Sequence, residues 1–286
     1  MKLADLTALG RTPIDPSYPT NWAIAALALV VAIAGTIVHL LTGAALLESV
    51  LWGIGAGFVP FLTWALGREL DPDHDLSAFV GAGLVLITFL LPDMPSLILI
   101  LWLLLVLRIV NRTVGLPAKP WDSLGVLGLG AWLTWQGYWL VGLMTAVAFL
   151  LDGLLSPPLR HHLFVSGLSF VTTVVLAIFH GDMTMESGPT LPVVLSSVVV
   201  TGLFLVVIAT TRRVEAVGDA TGTVLNARRV RAAQVLALLT ALLFAWWGGV
   251  SGLVTILPLG AAMIGVSLYR LVILFPSRSL RLRKEV

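Results

Sequence analysis

A short acidic stretch, RELDPDHD at residues 68–75, stands between two long apolar runs. Asp71, Asp73 and Asp75 alternate along it, and alternate side chains of an extended chain point to the same side. Three such carboxylates repel one another unless a cation lies between them, and Mg²⁺ takes carboxylate oxygens as ligands. The spacing therefore predicts a Mg²⁺ site at which these three aspartates are both metal ligands and catalytic residues. The alternative is a solvated loop in which Asp75 or Ser77 caps the next helix.

Arginines crowd the longest polar segment of the chain, residues 210–231. The planar guanidinium group can bind two phosphate oxygens at once, whereas the lysine ammonium acts as a point charge. These residue types predict a site for a phosphate or diphosphate group. The residues predicted to bind the substrate are Arg112, Lys119, Arg212, Arg213, Asp219, Arg228 and Arg229. The alternative is that the arginines orient the chain in the membrane and contact anionic lipid headgroups.

Together these two segments resemble the acidic motifs of the UbiA-type intramembrane prenyltransferases. RELDPDHD follows the second apolar run, where that family carries its first acidic motif. RRVEAVGDATG at residues 212–222 is similar to the second motif, with Asp219 in place. The acids of RELDPDHD are spaced more closely than those of the family, and Arg68 and Glu69 stand where the family has Asn-Asp. The resemblance implies a helical bundle in which Mg²⁺ binds a prenyl diphosphate.

The composition decides the class of protein that positions these residues. Of the 286 residues, 58% are hydrophobic and 11% are charged, whereas a soluble domain carries about 25% charged residues. The mean hydropathy of +1.00 excludes a soluble fold and predicts an all-α, polytopic integral membrane bundle forming a single transmembrane domain over residues 1–286. The chain has no cysteine, which excludes disulfides, thiolate metal sites and a cysteine nucleophile.

Apolar runs predict about nine or ten membrane segments, counting a run of about 20 residues as one crossing. Gly53 and Gly57 have the spacing typical of closely packed membrane helices. The stretch 124–151 is long for one crossing and short for two, and it predicts a short hairpin or re-entrant segment that turns near TWQG. The other candidate spans are residues 22–42, 44–66, 77–92, 95–110, 161–180, 190–211, 231–249 and 251–275.

The distribution of basic residues favours the hairpin and fixes the orientation. With a cytoplasmic N-terminus and a hairpin at 124–151, all 17 Lys and Arg residues lie on the inner side, as the positive-inside rule requires. We therefore predict cytoplasmic termini, with an N-terminal segment at 1–21 and a basic tail at 276–286, in a prokaryotic inner membrane. Arg108 and Arg270 fall near the inner ends of spans and are interpreted as snorkelling to the interface.

Three functions are compatible with these patterns. The first is a membrane-embedded enzyme that acts on a lipid or isoprenoid (di)phosphate at a cytoplasm-facing, Mg²⁺-dependent site. The second is a transporter or flippase for a lipid-like or uncharged substrate, with the interrupted 124–151 segment lining its path. The third is a non-catalytic subunit of a membrane complex. Membrane lipid is the partner expected in all three, and no nucleic acid is expected.

Overall fold

The computed structural model describes residues 7–10, 19–90, 94–180 and 189–274. Within these ranges the chain forms helices and no β-strand, so the predicted all-α bundle is confirmed. A 3-10 helix, Val85–Leu90, continues α3. The α-helices are α1 Pro19–Leu41, α2 Leu46–Leu70, α3 Asp75–Leu84, α4 Leu97–Asn111, α5 Pro120–Trp135, α6 Trp139–Leu154, α7 His161–His180, α8 Leu191–Thr210, α9 Ala227–Thr255 and α10 Leu257–Leu274.

Six of these helices, α1, α2, α7, α8, α9 and α10, are long and apolar enough to cross a membrane. The chain is therefore a multi-pass integral membrane protein by the length and composition of its helices. The segment from α3 through the 3-10 helix, α4 and α6 are apolar but shorter. The predicted tail at 276–286 and residues 1–6 and 11–18 of the predicted N-terminal segment lie outside the described residues.

The predicted hairpin at 124–151 is confirmed. α5 and α6 each have 16 residues and are joined by Gln136, Gly137 and Tyr138. Gly137 turns the chain with a φ of 95°, a conformation that residues with a side chain rarely adopt. Each arm is about 24 Å long at 1.5 Å per residue. The arms pack against each other and therefore enter and leave at the same end of the bundle.

The core of the bundle surrounds α4. Ten of its 15 residues are buried, and it packs against α2, α5, α6 and α9. This helix is hydrophobic on nearly all sides, which is the pattern of a helix enclosed by others. The indole Nε1 of Trp102 donates to Oγ1 of Thr145 on α6 over 2.9 Å. This hydrogen bond satisfies a polar group that is buried in the core.

The end of the predicted span 231–249 is a kink rather than a helix boundary. α9 runs from Ala227 to Thr255, and Gly249 within it has non-helical angles of φ 54° and ψ −132°. The helix changes at Ile256, where α10 follows after a single residue. Hydropathy locates an interruption near Gly249 because glycine and serine cluster there, but it does not distinguish a kink from a turn.

Close packing of α1 on α2 depends on the two glycines identified in the sequence. A Cβ atom at Gly57 would lie 2.6 Å from the carbonyl oxygen of Ala28 and 2.9 Å from Cβ of Ala32. At Gly53 the same addition would lie 2.5 Å from the carbonyl oxygen of Ala32. Distances this short to backbone atoms force the helices apart. Gly53 and Gly57 thus mark the positions where α1 and α2 lie in close contact.

We expect Gly57→Ala to destabilise the protein by about 1–3 kcal/mol, the usual cost of overpacking. The measurement is the thermal unfolding midpoint in detergent, together with protease cleavage between α1 and α2. Gly128→Ala on α5 is the control, because a Cβ atom at Gly128 meets open space and alanine favours helix. Equal midpoints for the two variants would contradict the close α1–α2 contact.

Candidate functional site

Polar side chains gather at one end of the bundle, which we call the polar end. Consecutive helices alternate in direction, so the C-terminal ends of α2, α4, α6, α8 and α10 meet the N-terminal ends of α3, α5, α7 and α9 there. Direct hydrogen bonds join the loops between them: Asn111 donates to Glu69, Arg229 to the carbonyl of Ser156, and the backbone of Ala216 to Asp73. The loops predicted to share one side of the membrane therefore share one end of the bundle.

Asp152, near the end of α6, is a carboxylate of the polar end that two arginines contact. It is fully buried. Arg112 binds it side-on, with Nε 2.9 Å from Oδ1 and NH2 3.0 Å from Oδ2. NH1 of Arg229 lies 2.6 Å from Oδ1. Two guanidinium groups hold this carboxylate ionised in a poorly hydrated site, where an unpaired charge is very costly.

Arg229 also terminates two other helices. Its guanidinium group donates to the carbonyl of Val110 at the end of α4 and to the carbonyls of Leu155, Ser156 and Pro157 after α6. The last carbonyls of a helix have no partner within the helix, so these bonds satisfy groups that would otherwise be buried without one. Arg229 is 2% exposed and is therefore a structural cross-link between α4, α6 and α9.

Arg112 ends α4 in a left-handed conformation, with φ 52° and ψ 46°. Arginine rarely adopts this conformation, because its Cβ atom crowds the backbone. The conformation stops the helix and accompanies the two-pronged ion pair with Asp152. Arg112 and Arg229, both predicted from the sequence to bind substrate, thus contact a buried carboxylate.

A second buried carboxylate, Glu69 at the end of α2, binds the end of α4. Its Oε1 accepts from Nε of Arg108 over 2.9 Å, and its Oε2 accepts from Asn111 over 2.9 Å and from Thr113 over 2.5 Å. Arg108 also donates to the carbonyl of Leu9, which ties the N-terminal segment to the bundle. The interpretation of Arg108 as snorkelling is wrong, because its side chain points into the protein.

The three aspartates of the predicted Mg²⁺ site have separate partners. Asp71 is fully buried and accepts from Nε and NH2 of Arg270 at 3.1 and 2.7 Å, so Arg270 too points inward. Oδ1 of Asp71 also lies 3.0 Å from Nδ1 of His74. Asp75 forms an ion pair with Arg68. Within the described residues no group of three Asp, Glu or His side chains has the spacing of a metal site, and the Mg²⁺ site stays a prediction.

The predicted helix cap at Asp75 or Ser77 is wrong. α3 begins at Asp75 itself, with His74 as the residue before it and no capping bond from that side chain. The hydroxyl of Ser77 donates to the carbonyl of His74 instead of accepting from a backbone N–H group. Asp75 keeps a favourable place in the first helical turn, where the helix dipole attracts negative charge.

The third aspartate, Asp73, joins the acidic loop (residues 68–75) to the arginine segment (residues 210–231). Its Oδ1 accepts from the backbone N–H groups of Glu215 and Ala216 at 2.9 and 2.8 Å. Beside this junction lies a cavity of about 330 Å³, which we call the junction cavity. It is lined by Pro72, Asp73, His74, Arg213, Glu215 and Ala216. The acidic and basic segments identified in the sequence therefore meet over one cavity.

The remaining predicted binding residues are dispersed around the polar end. Arg212, Arg213 and Arg228 are exposed, and Lys119 is half-buried at the start of α5. Asp219 is exposed in the turn closed by the antiparallel bridge between Val217 and Val224. Among the predicted phosphate-binding residues, Arg213 is the arginine that lines the junction cavity.

Two histidines and one serine at the polar end contact one another or Asp152, and the sequence did not predict these contacts. His162 at the start of α7 is fully buried, with Nε2 2.8 Å from Oγ of Ser123 and Nδ1 2.8 Å from Oδ2 of Asp152. The exposed ring of His161 lies edge-on to His162, with centroids 4.7 Å apart. The adjacent pair HH at the start of an apolar run was the available signal.

A second cavity, of about 290 Å³, lies at the other end of the hairpin. It is bounded by the α5–α6 turn and by α9 on both sides of the Gly249 kink. The rings of Trp139 and Trp247 meet edge-to-face there, with centroids 4.9 Å apart. We call it the hairpin cavity. No charged side chain is among its lining residues, in contrast to the junction cavity.

Comparisons of the chain with protein-family models, with curated proteins and with solved structures find no match. The likeness to the UbiA-type prenyltransferases stays a resemblance of two short segments. The polar end and the cavity beside it are therefore the features from which a function is inferred.

We expect Arg229→Met to destabilise the protein by about 3–5 kcal/mol, the cost of breaking a buried ion pair by removing one partner. The variant also leaves the carbonyl groups at the ends of α4 and α6 without donors. Thermal unfolding in detergent measures the effect. The neighbouring Arg228→Met is the matched control, because Arg228 is exposed, and its midpoint should stay near that of the parent. Similar losses in both variants would show that Arg229 is not a cross-link.

Proposed function

We propose that the chain binds a lipid or isoprenoid phosphate in the junction cavity. The observation that supports this is the attachment of the acidic loop to the arginine segment through Asp73, with Arg213 lining the same cavity. Its volume is at the lower limit of known small-molecule sites, about 300–1,000 Å³. A headgroup of phosphate size fits such a space, while the hydrocarbon chain would remain in the membrane.

The lining residues define the chemistry of this headgroup. The guanidinium group of Arg213 can donate two hydrogen bonds to phosphate oxygens, and the ring of His74 can donate a third. The carboxylates of Asp73 and Glu215 on the same cavity repel a phosphate unless a cation lies between them. A bound Mg²⁺ would supply that cation and would stabilise the leaving group in an enzymatic reaction of a diphosphate.

The three aspartates proposed as metal ligands differ in whether they must change partners to bind a metal ion. Asp73 faces the cavity as it stands. Asp71 and Asp75 would have to exchange Arg270 and Arg68 for the metal ion. In the enzymatic form of the proposal, this exchange accompanies binding of the metal–diphosphate complex. The released arginines would then be available to the phosphate oxygens.

A transporter or flippase for a lipid-like or uncharged substrate is the second candidate. The kink at Gly249 and the hairpin cavity favour it, because interrupted helices frequently line substrate sites in transporters. The hairpin cavity is lined by aromatic and hydroxyl side chains, which suits a substrate without charge. It lies at the opposite end from the polar end, so the two candidate functions use different residues.

Retention of a bound amphiphile, measured by native mass spectrometry, tests the proposed function. The probe is farnesyl diphosphate, and farnesol is its uncharged counterpart. We expect the purified protein to retain the diphosphate and not the alcohol. In Asp73→Asn and Arg213→Gln, the fraction of protein that retains the diphosphate should fall at least tenfold. Arg228→Gln is the control, since it removes an exposed arginine that does not line the cavity.

The outcomes separate the candidate functions. Release of the diphosphate by EDTA would support Mg²⁺ at the acidic loop. Retention of farnesol alone, reduced by Trp247→Ala, would favour the transporter. Retention of neither probe would contradict both and leave a non-catalytic subunit as the remaining role.

The orientation completes the proposal: we place the polar end on the cytoplasmic side of an inner membrane, with both termini inside. The chain has no cysteine, so one introduced cysteine reports a single position without background. We expect a membrane-impermeant maleimide to label Ala45→Cys, in the α1–α2 turn, in intact bacterial cells. Ala220→Cys, in the arginine segment, should be labelled only after lysis. The reverse pattern would place the polar end outside.

A further inference from the structure

Ser123, His162 and Asp152 are connected in the order and through the atoms of a nucleophile–base–carboxylate triad. Oγ of Ser123 lies 2.8 Å from Nε2 of His162, and Nδ1 of the same ring lies 2.8 Å from Oδ2 of Asp152. These three residues come from α5, α7 and α6, so tertiary packing alone brings them together. None of them lines the junction cavity, and nothing in the proposed phosphate site uses them.

The surroundings of the triad favour the histidine tautomer that a general base needs. A carboxylate beside Nδ1 favours the tautomer that carries its proton on that atom, which leaves Nε2 free to accept the serine proton. Asp152 is fixed in position by Arg112 and Arg229. Nδ1 lies at contact distance from Oδ2 of Asp152 but off the line of a hydrogen bond, so the ring must rotate to align it.

The serine lies just below the surface of α5. It is 4% exposed. Residues three before and four after it share its face of the helix, and these are the exposed Pro120 and the half-buried Leu127. Ser123 is in the first turn of α5, where the helix dipole attracts negative charge, and its own N–H group donates to the carbonyl of Lys119. A substrate would therefore approach from the side of α5, at the level of the polar end.

We propose that Ser123 is the nucleophile, and His162 the general base, of an acyl-transfer site for ester-linked acyl chains of an amphiphile. Oγ of Ser123 attacks the ester carbonyl carbon while Nε2 of His162 takes the hydroxyl proton. The carbon–oxygen bond of the ester breaks, and the leaving alcohol takes that proton from His162. Water then attacks the acyl-serine with His162 as base, which releases a carboxylic acid and restores the serine. Asp152 is a positioning residue for His162.

The location selects an amphiphile over a water-soluble ester. The polar end begins where apolar helices end, so the ester group of a membrane lipid lies at the same depth as the first turn of α5. The indole of Trp121, 78% exposed two residues before Ser123, is of the type enriched at membrane interfaces. This inference is independent of the phosphate site and stands or fails separately from it.

The test is covalent labelling of the full chain, in membranes and after extraction into detergent, with a fluorescent long-chain alkyl fluorophosphonate. We expect the unmodified protein to be labelled on Ser123 and Ser123→Ala to lose the label. His162→Gln should slow labelling about 10²-fold or more, the contribution of a general base. Ser166→Ala is the control, because Ser166 on α7 is also buried and donates to the carbonyl of Ala146, as Ser123 does to that of Lys119, whereas the contact with His162 belongs to Ser123.

The role of Asp152 has its own readout. Asp152→Asn should lower the maximal labelling rate while leaving the probe concentration for half-saturation unchanged, since it disturbs the base and not the binding of the probe. Each variant is used only if its elution on size exclusion matches the parent. Failure of the unmodified protein to react in both preparations, or equal labelling of Ser123→Ala, would overturn the proposal. Neither result bears on retention of farnesyl diphosphate.

Discussion

Pairing of buried charges at one end of the bundle is the constraint on which the rest of the structure depends. Asp152 and Glu69 are removed from water, and each needs a cationic partner because an isolated charge cannot stay ionised in such an environment. Arg229, Arg112 and Arg108 provide these partners from α9 and α4. Arg112 ends α4, and Arg229 donates to the carbonyl groups at the ends of α4 and α6. The ion pairs therefore lie where these helices stop. The junction cavity and the serine–histidine contact are arranged around this fixed end.

Much of the fold could be predicted from the sequence because its signals are local. Apolar runs locate the helices to within a few residues, apart from the boundary between α9 and α10, and Gly53 with Gly57 locates the contact of α1 with α2. The hairpin at 124–151 followed from a global argument, since only an even number of crossings there keeps the basic residues together. That argument also predicted correctly that the polar loops share one end. This prediction needs only the positions of the basic residues along the chain, and these are known without the packing.

The partners of each charge could not be predicted, because they are chosen by packing between distant parts of the chain. Asp152 is a single acid at the end of an apolar run, and no feature near it in the sequence predicts that two arginines contact it. Arg270 at a span end has the pattern of a snorkelling residue, yet its partner is Asp71, 199 residues away in the sequence. The alternation of the three aspartates predicted that their side chains point to the same side of the chain. The turn at Pro72 and the start of α3 at Asp75 divide them instead among separate partners.

The shortness of α4 has a consequence for the surrounding bilayer. Its 15 residues span about 22 Å, against a hydrocarbon core of about 30 Å. Of the helices packed against it, α5 and α6 are nearly as short, whereas α2 and α9 are long enough to cross the membrane. The bundle therefore contains three short helices, α4, α5 and α6, packed against helices of full length. Water must reach the ends of these short helices, or the adjacent leaflet must thin there, at a cost of fractions of a kcal/mol per Å of mismatch.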